Sequence, residues 1–291
     1  MPPSFQRRQS ASGSEQRDGV GAIPSEHAPY SEPVPNADRL LSLAAGVCPE
    51  TGPADFVTAC AAAGWQACGI WFDADSWTER VAEDVRRRLD DTGLVALDME
   101  PIFVTPHGDH GDRMIDAAAA VGARNLLVVS RGVDDERFVE RFGELCDVAA
   151  LHGIGCSLEF MAFMSIRDLP RSLAVLDAVD RPNASVLIDN LHLARTGGTV
   201  ADLAAIDPAR LPYVQLCDAP ALAPDNLVGE ALDGRLVLGT GELPIDDLVA
   251  ALPHHTAFSF EIRSAALRTK FPDPADRARH VLATTREHLE R

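Results

Sequence analysis

The chain has 291 residues, of which 46% are hydrophobic and 24% are charged, so it can bury one large core or two small ones. Its 26 basic and 44 acidic side chains give a formal net charge of −18. That balance argues against nucleic-acid and anionic-membrane partners because phosphate groups are bound by basic surfaces.

Residues 1–38 are rich in Ser, Pro, Gly, Glu and Arg with almost no apolar periodicity, and they are predicted to form a disordered tail. Apolar runs then alternate with helical patterns that end at Gly, Asn or Asp. Strands are predicted at Leu40–Val47, Ala67–Phe72, Leu94–Met99, Asn125–Ser130, Ile154–Phe160, Ala184–Asp189, Tyr213–Cys217 and Ala257–Ile262. Helices are predicted at Pro53–Ala63, Thr78–Asp91, Asp112–Val121, Asp135–Leu151, Leu169–Ala178, Val200–Ile206, Ile245–Leu252 and Pro274–Glu290.

This alternation predicts the fold class. The strands are continuous apolar runs, as expected where both faces of a parallel sheet are buried. Eight strand–helix units predict a single (β/α)8 TIM barrel over residues 39–291. A doubly wound sheet that binds a dinucleotide would carry GxGxxG after its first strand, and Ala44-Ala45-Gly46-Val47-Cys48 does not supply it.

The six cysteines, at positions 48, 60, 68, 146, 156 and 217, contain no CxxC pair and lie mostly in apolar stretches. This pattern indicates small core residues of a reduced protein and not a disulfide framework. No apolar run approaches the ~18 residues that a membrane-spanning helix needs. The expected location is therefore the cytoplasm.

Apolar runs in the second half of the chain end in an oxygen-bearing side chain, namely Glu159, Asp189, Gln215 and Glu261. In a parallel barrel such strand ends meet at one mouth. Buried carboxylates are costly unless a positive charge meets them, so the set predicts a divalent metal site. Oxygen ligands favour Mn²⁺ or Mg²⁺ over Zn²⁺. The alternative is that these are separate surface residues or helix caps.

Two residues close to this set are candidates for substrate contact. His192 lies three positions after Asp189, so a helical turn would point its ring to the same mouth, as a substrate donor or an outer metal ligand. Arg263 lies two positions after Glu261, where it would hold that glutamate or grip a substrate oxygen or phosphate. A backbone-capping role for the histidine and a simple ion pair for the arginine are the alternatives.

Three weaker candidates lie in the first half of the chain. Glu100 lies at the end of the third predicted strand, directly after Met99, and His107 lies in the loop that follows, so both are candidates to line the substrate side. Trp71, near the end of the second strand, is a candidate to stack on a sugar ring, with a core position as the alternative.

With these residues in view, the chain resembles the xylose isomerase-like TIM-barrel superfamily. This is the sugar phosphate isomerase/epimerase group, which also contains inosose isomerases, hydroxypyruvate isomerases and 3-dehydroshikimate dehydratases. The resemblance covers about residues 38–291. It rests on Ser157-Leu158-Glu159, Leu187-Ile188-Asp189-Asn190-Leu191-His192, Val214-Gln215-Leu216-Cys217-Asp218 and Ser259-Phe260-Glu261-Ile262-Arg263. These segments are fairly specific for the superfamily but not for a substrate.

The resemblance implies that the four strand-end residues hold the metal, that Glu159 and Glu261 are the acid/base pair, and that His192 and Arg263 contact the substrate. Epimerases of the family usually carry His where this chain has Gln215. Dehydroshikimate dehydratases of the family can carry Gln there, so this departure favours a lyase.

The preferred hypothesis is a metal-dependent isomerase or epimerase of a sugar, sugar phosphate or cyclitol. A glutamate would remove the proton next to a metal-polarised carbonyl, giving an enediolate. The alternatives are a dehydratase of a 3-keto cyclic polyol such as 3-dehydroshikimate, and a noncatalytic metal- or sugar-binding barrel. A nuclease of the same fold is disfavoured by the negative charge. The expected partner is a small polyol or keto-sugar, and a homodimer is one option for assembly.

Overall fold

The structure, a computed structural model, describes residues 39–290, so the tail predicted over residues 1–38 lies outside the described residues. Eight strands, all parallel to their neighbours, form a closed barrel in the order of the chain. The strands are β1 Leu41–Leu43, β2 Ala67–Trp71, β3 Val95–Val104, β4 Asn125–Ser130, β5 Gly155–Glu159, β6 Ala184–Asp189, β7 Tyr213–Leu216 and β8 Ala257–Phe260. The predicted (β/α)8 barrel is confirmed.

Helices follow the strands and cover the barrel. They are α1 Pro53–Ala63, α2 Glu79–Thr92, α3 Gly111–Val121, α4 Asp135–Ala150, α5 Leu169–Val179, α6 Asn190–Arg195, α7 Leu227–Asp233, α8 Ile245–Ala251, α9 Ala265–Lys270 and α10 Pro274–Leu289. Short 3-10 segments lie at Ala45–Val47, Val200–Ala205 and Pro208–Arg210. Among residues 39–290, none of the helices is long and apolar enough to cross a membrane.

Successive side chains of each strand point alternately into the barrel and out toward the helices. In β7, Tyr213 packs inside the barrel, whereas Val214 and Leu216 belong to the core between barrel and helices. In β6, Leu187 is inside and Ile188 is outside. Because this period is two, the polar residue that lies two positions after an inward residue also faces the barrel interior. The alternation therefore brings the strand-end oxygens to one place.

Several elements differ from the predicted ones. β1 stops at Leu43, and a 3-10 turn occupies the rest of its predicted length. The segment Val200–Ala205, predicted to be an α-helix, is a 3-10 helix, and the α-helix lies earlier, at α6. α7 and α9 were not predicted; they have seven and six residues, too few for a clear helical period. All six cysteines are free and buried, as expected for core residues.

Candidate functional site

The four predicted metal ligands lie at the carboxyl ends of consecutive strands. Glu159 is the last residue of β5 and Asp189 the last of β6. Asp189 is in register with Gln215 of β7, and Glu261 directly follows β8. All four side chains are buried, with Asp189 and Gln215 fully so. The structure thus gathers them at one mouth of the barrel.

Glu159, Asp189 and His192 form a cluster in which one ligand atom from each lies within 4.8 Å of the others. The helix that follows β6 creates this cluster. Asp189 is the N-cap of α6, and its Oδ1 accepts the amide hydrogens of Leu191 at 2.8 Å and His192 at 3.2 Å. The first turn of α6 therefore places the His192 ring over the mouth, with Nε2 3.9 Å from Glu159 Oε1. Such a cluster is suited to a divalent metal ion.

Arg235, which the sequence analysis missed, is a further member of the site. Its guanidinium is 2% exposed and bridges two of the carboxylates: Nη1 lies 2.5 Å from Asp189 Oδ2, and Nη2 lies 2.9 Å from Glu261 Oε2. Its Nε donates to the carbonyl oxygen of Ala231 at 2.9 Å. Arg235 is held there because its own amide donates to the Arg263 carbonyl at 3.0 Å, which joins the segment after α7 to the segment that follows β8. No periodic pattern marks this residue in the sequence.

Burial of so many carboxyl groups shifts their pKa values. Burial raises the pKa of Glu261 to about 8, with Arg235 opposing the shift and Glu100 adding to it. Burial likewise raises the pKa of Glu159 well above its usual range, and the charges of Glu261 and Asp189 raise it further. Burial would also raise the pKa of Asp189, but Arg235 outweighs it and keeps that pKa low. The site therefore contains carboxyl groups able to take up or deliver a proton near neutral pH.

His192 differs from these groups because burial favours its uncharged form. Burial lowers the pKa of His192 to about 4, so the imidazole is neutral at physiological pH. A neutral imidazole offers one donor and one acceptor nitrogen. Its ring meets Phe163 edge-on, with 5.7 Å between ring centroids. It is thus able to act either as a ligand or as a hydrogen-bond partner of a bound molecule.

The residues of the site fit a divalent metal ion. Gln215 donates from Nε2 to Glu100 Oε2 at 3.3 Å, while its Oε1 is buried and has no hydrogen-bond partner among residues 39–290. A buried amide oxygen without a partner is costly, and a cation would satisfy it. Glu159 lies 3.9 Å from the neutral His192 ring, and the nearby charges of Glu261 and Asp189 disfavour its ionised form, so a cation there would stabilise it. The donor set is mainly oxygen, which Mg²⁺ and Mn²⁺ prefer.

A cavity of about 590 Å³ opens above the carboxylates. Glu159 and Glu261 line it, as do the predicted substrate-side residues Trp71, Glu100, His192 and Arg263. The Arg263 guanidinium lies over the Trp71 ring, 5.8 Å from its centroid. Glu100 Oε1 accepts the amide hydrogen of Ala45 at 3.1 Å, and burial raises the pKa of Glu100 to about 8. Most of the predicted set is thus brought together.

His107 is not brought to this cavity. It is exposed in a tight turn in which its amide donates to Thr105 Oγ1 at 3.2 Å. Asp98, in contrast, was missed. It lies two residues before Glu100 on β3, so both side chains are on the same face of the strand. Asp98 is fully buried beside the Tyr213 hydroxyl, and burial raises its pKa to about 7. The signal was present in the sequence, because two acidic residues at a spacing of two interrupt an apolar strand.

Comparison with known proteins identifies the family. A family model described as xylose isomerase-like TIM barrel matches residues 57–288. The chain belongs to this family. A 3-dehydroshikimate dehydratase of Pseudomonas aeruginosa is 24% identical over 257 residues, which cover 80% of this chain and 40% of that protein. The chain thus spans less than half the length of this curated relative.

Several solved structures share the barrel fold of this chain. The IOLI protein, solved with a bound zinc atom, has a TM-score of 0.73 at 14% identity, over 86% of this chain and 98% of that one. D-allulose 3-epimerase from Methylomonas sp. has a TM-score of 0.65 at 20% identity, over 86% and 98%. At these identities the structural similarity shows the shared barrel fold, and it does not identify a substrate. The proteins similar to this chain thus include one named as an epimerase and one named as a dehydratase.

Proposed function

We propose that this xylose isomerase-like barrel is a metal-dependent enzyme that removes a proton next to the carbonyl group of a small keto polyol. The observation that carries the proposal is the pair Glu159 and Glu261. Both line the floor of the cavity and both are buried; the pKa of Glu261 is raised to about 8, and burial raises the pKa of Glu159 well above its usual range. An acid and a base at one site are what proton abstraction and redelivery require.

The metal would be held by Glu159, Asp189, Gln215 and Glu261, with His192 next to Glu159 as a further candidate ligand. When bound, a divalent cation polarises a carbonyl group and thereby makes the adjacent C–H bond more acidic. The oxygen-rich set favours Mg²⁺ or Mn²⁺.

The side chains have separate tasks in this proposal. Glu261 takes the proton as general base, and Arg235 fixes one of its two oxygens so that the other faces the cavity. Glu159 delivers a proton at a second substrate atom. His192 donates a hydrogen bond to a substrate oxygen. Trp71 and the apolar residues of the wall exclude water from the face of the substrate.

Dehydration is the preferred outcome. Glu261 would take the proton next to the carbonyl, Glu159 would protonate the hydroxyl group on the next carbon, and the products would be water and an unsaturated ketone. Two observations favour this reaction. The family resemblance implies that Gln215 occupies a place where dehydroshikimate dehydratases can carry Gln, and a curated relative is named 3-dehydroshikimate dehydratase. A cyclic 3-keto polyol of that kind is the substrate class we infer.

Isomerisation or epimerisation is the second candidate. The same two glutamates line one cavity, and a proton taken by one and returned by the other at a neighbouring carbon, or on the opposite face, gives these products. The residues required are the same. The two reactions differ only in whether the second glutamate protonates a carbon or a leaving hydroxyl group.

The test is a screen of the Mn²⁺- or Mg²⁺-loaded protein in D₂O, by proton NMR, against 3-dehydroshikimate, an inosose and D-allulose. We expect loss of the proton next to the carbonyl of 3-dehydroshikimate and growth of ultraviolet absorbance from an unsaturated product. Deuterium incorporation without that absorbance would indicate the isomerase. If none of the three compounds exchanges, the proposal is wrong.

Glu261→Gln provides the matched variant because it keeps the shape and the hydrogen bond to Arg235 but cannot take a proton. We expect a loss of about 10²–10⁴-fold in the exchange rate with bound metal retained. Metal content and circular dichroism check that the variant is folded and loaded. Retained exchange in this variant would contradict the assignment of Glu261 as the base.

A further inference from the structure

Two arginines at the outer part of the cavity have no carboxylate partner. Arg131 and Arg167 both line the cavity and both are exposed. Among residues 39–290 neither side chain is in an ion pair, although acidic residues outnumber basic ones by 44 to 26 in the whole chain. Many other arginines among residues 39–290, such as Arg141 and Arg171, are in ion pairs, whereas Arg263, deeper in the same cavity, is in none. Arg131 and Arg167 differ from Arg263 because they are both unpaired and exposed, so their guanidiniums are free to meet a bound anion at the cavity.

The backbone holds these two arginines on neighbouring loops. Arg131 directly follows β4, and Arg167 lies in the loop between β5 and α5. Ser130 ties the two loops together: its Oγ accepts the Ile166 amide at 2.7 Å and its carbonyl accepts the Ser165 amide at 3.2 Å. Ser130 is fully buried, so these bonds are shielded from water. The positions of both arginines are therefore set by the fold.

The wall beneath the two arginines is apolar. The Arg131 guanidinium lies over the Phe103 ring, 5.4 Å from its centroid. Leu127, Val129 and Met161 continue this wall toward Glu159. The cavity is thus acidic at its floor, apolar along one side and basic at its rim. A ligand that matches all three regions has a polar keto end, a ring face and an anionic group.

We propose that Arg131 and Arg167 form an anion subsite and that the substrate is an anionic keto polyol, bearing a carboxylate or a phosphate group. The orientation of the bound substrate, with its carbonyl group next to Glu159 and Glu261, rests on the proposed function. Guanidinium groups bind both anions through paired N–H donors. The subsite would exclude neutral sugars by affinity, and it would explain why these two cations are left without partners.

The experiment compares pairs of compounds that differ in charge. The carboxylate arm uses 3-dehydroshikimate and its methyl ester, and the phosphate arm uses D-fructose 6-phosphate and D-fructose. Binding is measured by calorimetry on the metal-loaded Glu261→Gln variant, in which turnover does not interfere. We expect the anionic member of at least one pair to bind about tenfold or more tightly, and that arm identifies the anion.

Variants then locate the preference. Arg131→Gln and Arg167→Gln, each made in the Glu261→Gln background, should each weaken the anionic probe about tenfold and leave the neutral probe unchanged. Arg286→Gln is the matched control, since Arg286 is an exposed arginine of α10 outside the cavity. Higher salt should reduce the preference because both guanidiniums are exposed.

The subsite is wrong if the two members of each pair bind with equal affinity. It is also wrong if neither 3-dehydroshikimate nor D-fructose 6-phosphate binds. The proposed function fails in a different way. If the wild-type protein exchanges protons in a neutral keto polyol and charge makes no difference, the enzyme assignment stands and the subsite is wrong. If anions bind through the two arginines and no proton is exchanged, the subsite stands and the reaction is wrong.

Discussion

Arg235 carries its positive charge into the barrel mouth with only 2% of its side chain exposed, where it meets Asp189 and Glu261. Taking three charged groups out of water costs several kcal/mol per group, and their attraction offsets this only when the geometry is good and the remaining donors are satisfied. Both conditions hold here, since the third donor nitrogen bonds the Ala231 carbonyl. The guanidinium therefore makes two adjacent buried carboxylates tolerable and fixes one oxygen of each.

Arg235→Met should destabilise the metal-free protein by about 3–5 kcal/mol, because it leaves buried carboxylates without their cation. Added Mn²⁺ should recover part of the loss, since a cation bound to the same carboxylates replaces the missing charge. Urea unfolding of the wild-type and variant proteins, each with EDTA and with Mn²⁺, measures both effects.

Two further variants make the Arg235 result specific. Arg235→Lys keeps the charge but cannot bridge two carboxylates with a planar fork, so an intermediate loss is expected. Arg286→Met, at an exposed position of α10, should change the free energy of unfolding by less than about 0.5 kcal/mol. If Arg235→Met in EDTA has the same free energy of unfolding as the wild type, the ion pairs of Arg235 with Asp189 and Glu261 do not stabilise the fold.

At the residue scale, the site was predictable where a strand supplied the pattern. Glu159, Asp189, Gln215 and Glu261 lie at or next to the carboxyl ends of strands, and the period of two directs all of them inward. Arg235 was not predictable, because it reaches the mouth through long-range backbone pairing of its segment with Arg263 and Asp218. No local pattern encodes such contacts.

Secondary-structure elements, too, were predictable where a local sequence pattern encodes them and not where long-range pairing sets them. Strand order and most helix boundaries followed from apolar runs and from Gly stops such as Gly64 and Gly93. β3 was predicted to end at Met99, but it continues past Pro101 to Val104. A proline normally ends a strand because it lacks an N–H. Here the pairing of β3 with β4 shifts register between Met99 and Ile102, so the ladder needs no donor at the proline.

The loop after β3 is tied to two helices by one carboxylate. Asp109 Oδ1 accepts the Gly111 amide at the start of α3, at 2.8 Å, and both Asp109 oxygens accept the Arg141 guanidinium of α4, each at 2.9 Å. The Asp109 side chain is 4% exposed. Burial would raise the pKa of Asp109, but Arg141 and the Gly111 amide outweigh it and hold that pKa below its usual value.

Asp109→Asn should therefore destabilise the protein by about 2 kcal/mol at pH 7. The native pKa lies below the unfolded value of about 3.9, so this contribution is present above that pH and is lost as the pH falls through the native pKa. The difference between the two proteins in chemical denaturation should thus shrink below pH ~4.

Asp112→Asn is the matched control for Asp109→Asn. Asp112 bonds the same Arg141 at 3.0 Å, but its side chain is 71% exposed. Its loss should cost less than about 0.5 kcal/mol, because solvent screens an exposed pair. Equal effects of the two substitutions at pH 7 would show that burial of Asp109 does not strengthen its pairing.

Over the whole molecule, negative charge predominates on the surface and also inside the barrel. The net charge is −18, and Glu100, Glu159 and Glu261 are buried together at the mouth. Salt screens the surface part of this repulsion but reaches the buried part much less. Each of the three has a raised pKa, which records the cost of ionising it there. A cation at the mouth would lower the cost of ionising these carboxyl groups and would thereby stabilise the folded state.

Addition of Mn²⁺ to EDTA-treated protein should accordingly raise its melting temperature. At a metal concentration one hundred times the dissociation constant the gain is about 2.7 kcal/mol, or roughly 5–10 °C for a chain of this size.

Gln215→Ala removes the unpaired amide oxygen and should abolish most of the shift. Gln66→Ala is the control, because Gln66 precedes β2 at the opposite end of the barrel, where it accepts the Leu41 amide at 2.9 Å. An equal Mn²⁺ response in the two variants would mean that the ion binds elsewhere, and scanning calorimetry at one fixed scan rate distinguishes these results.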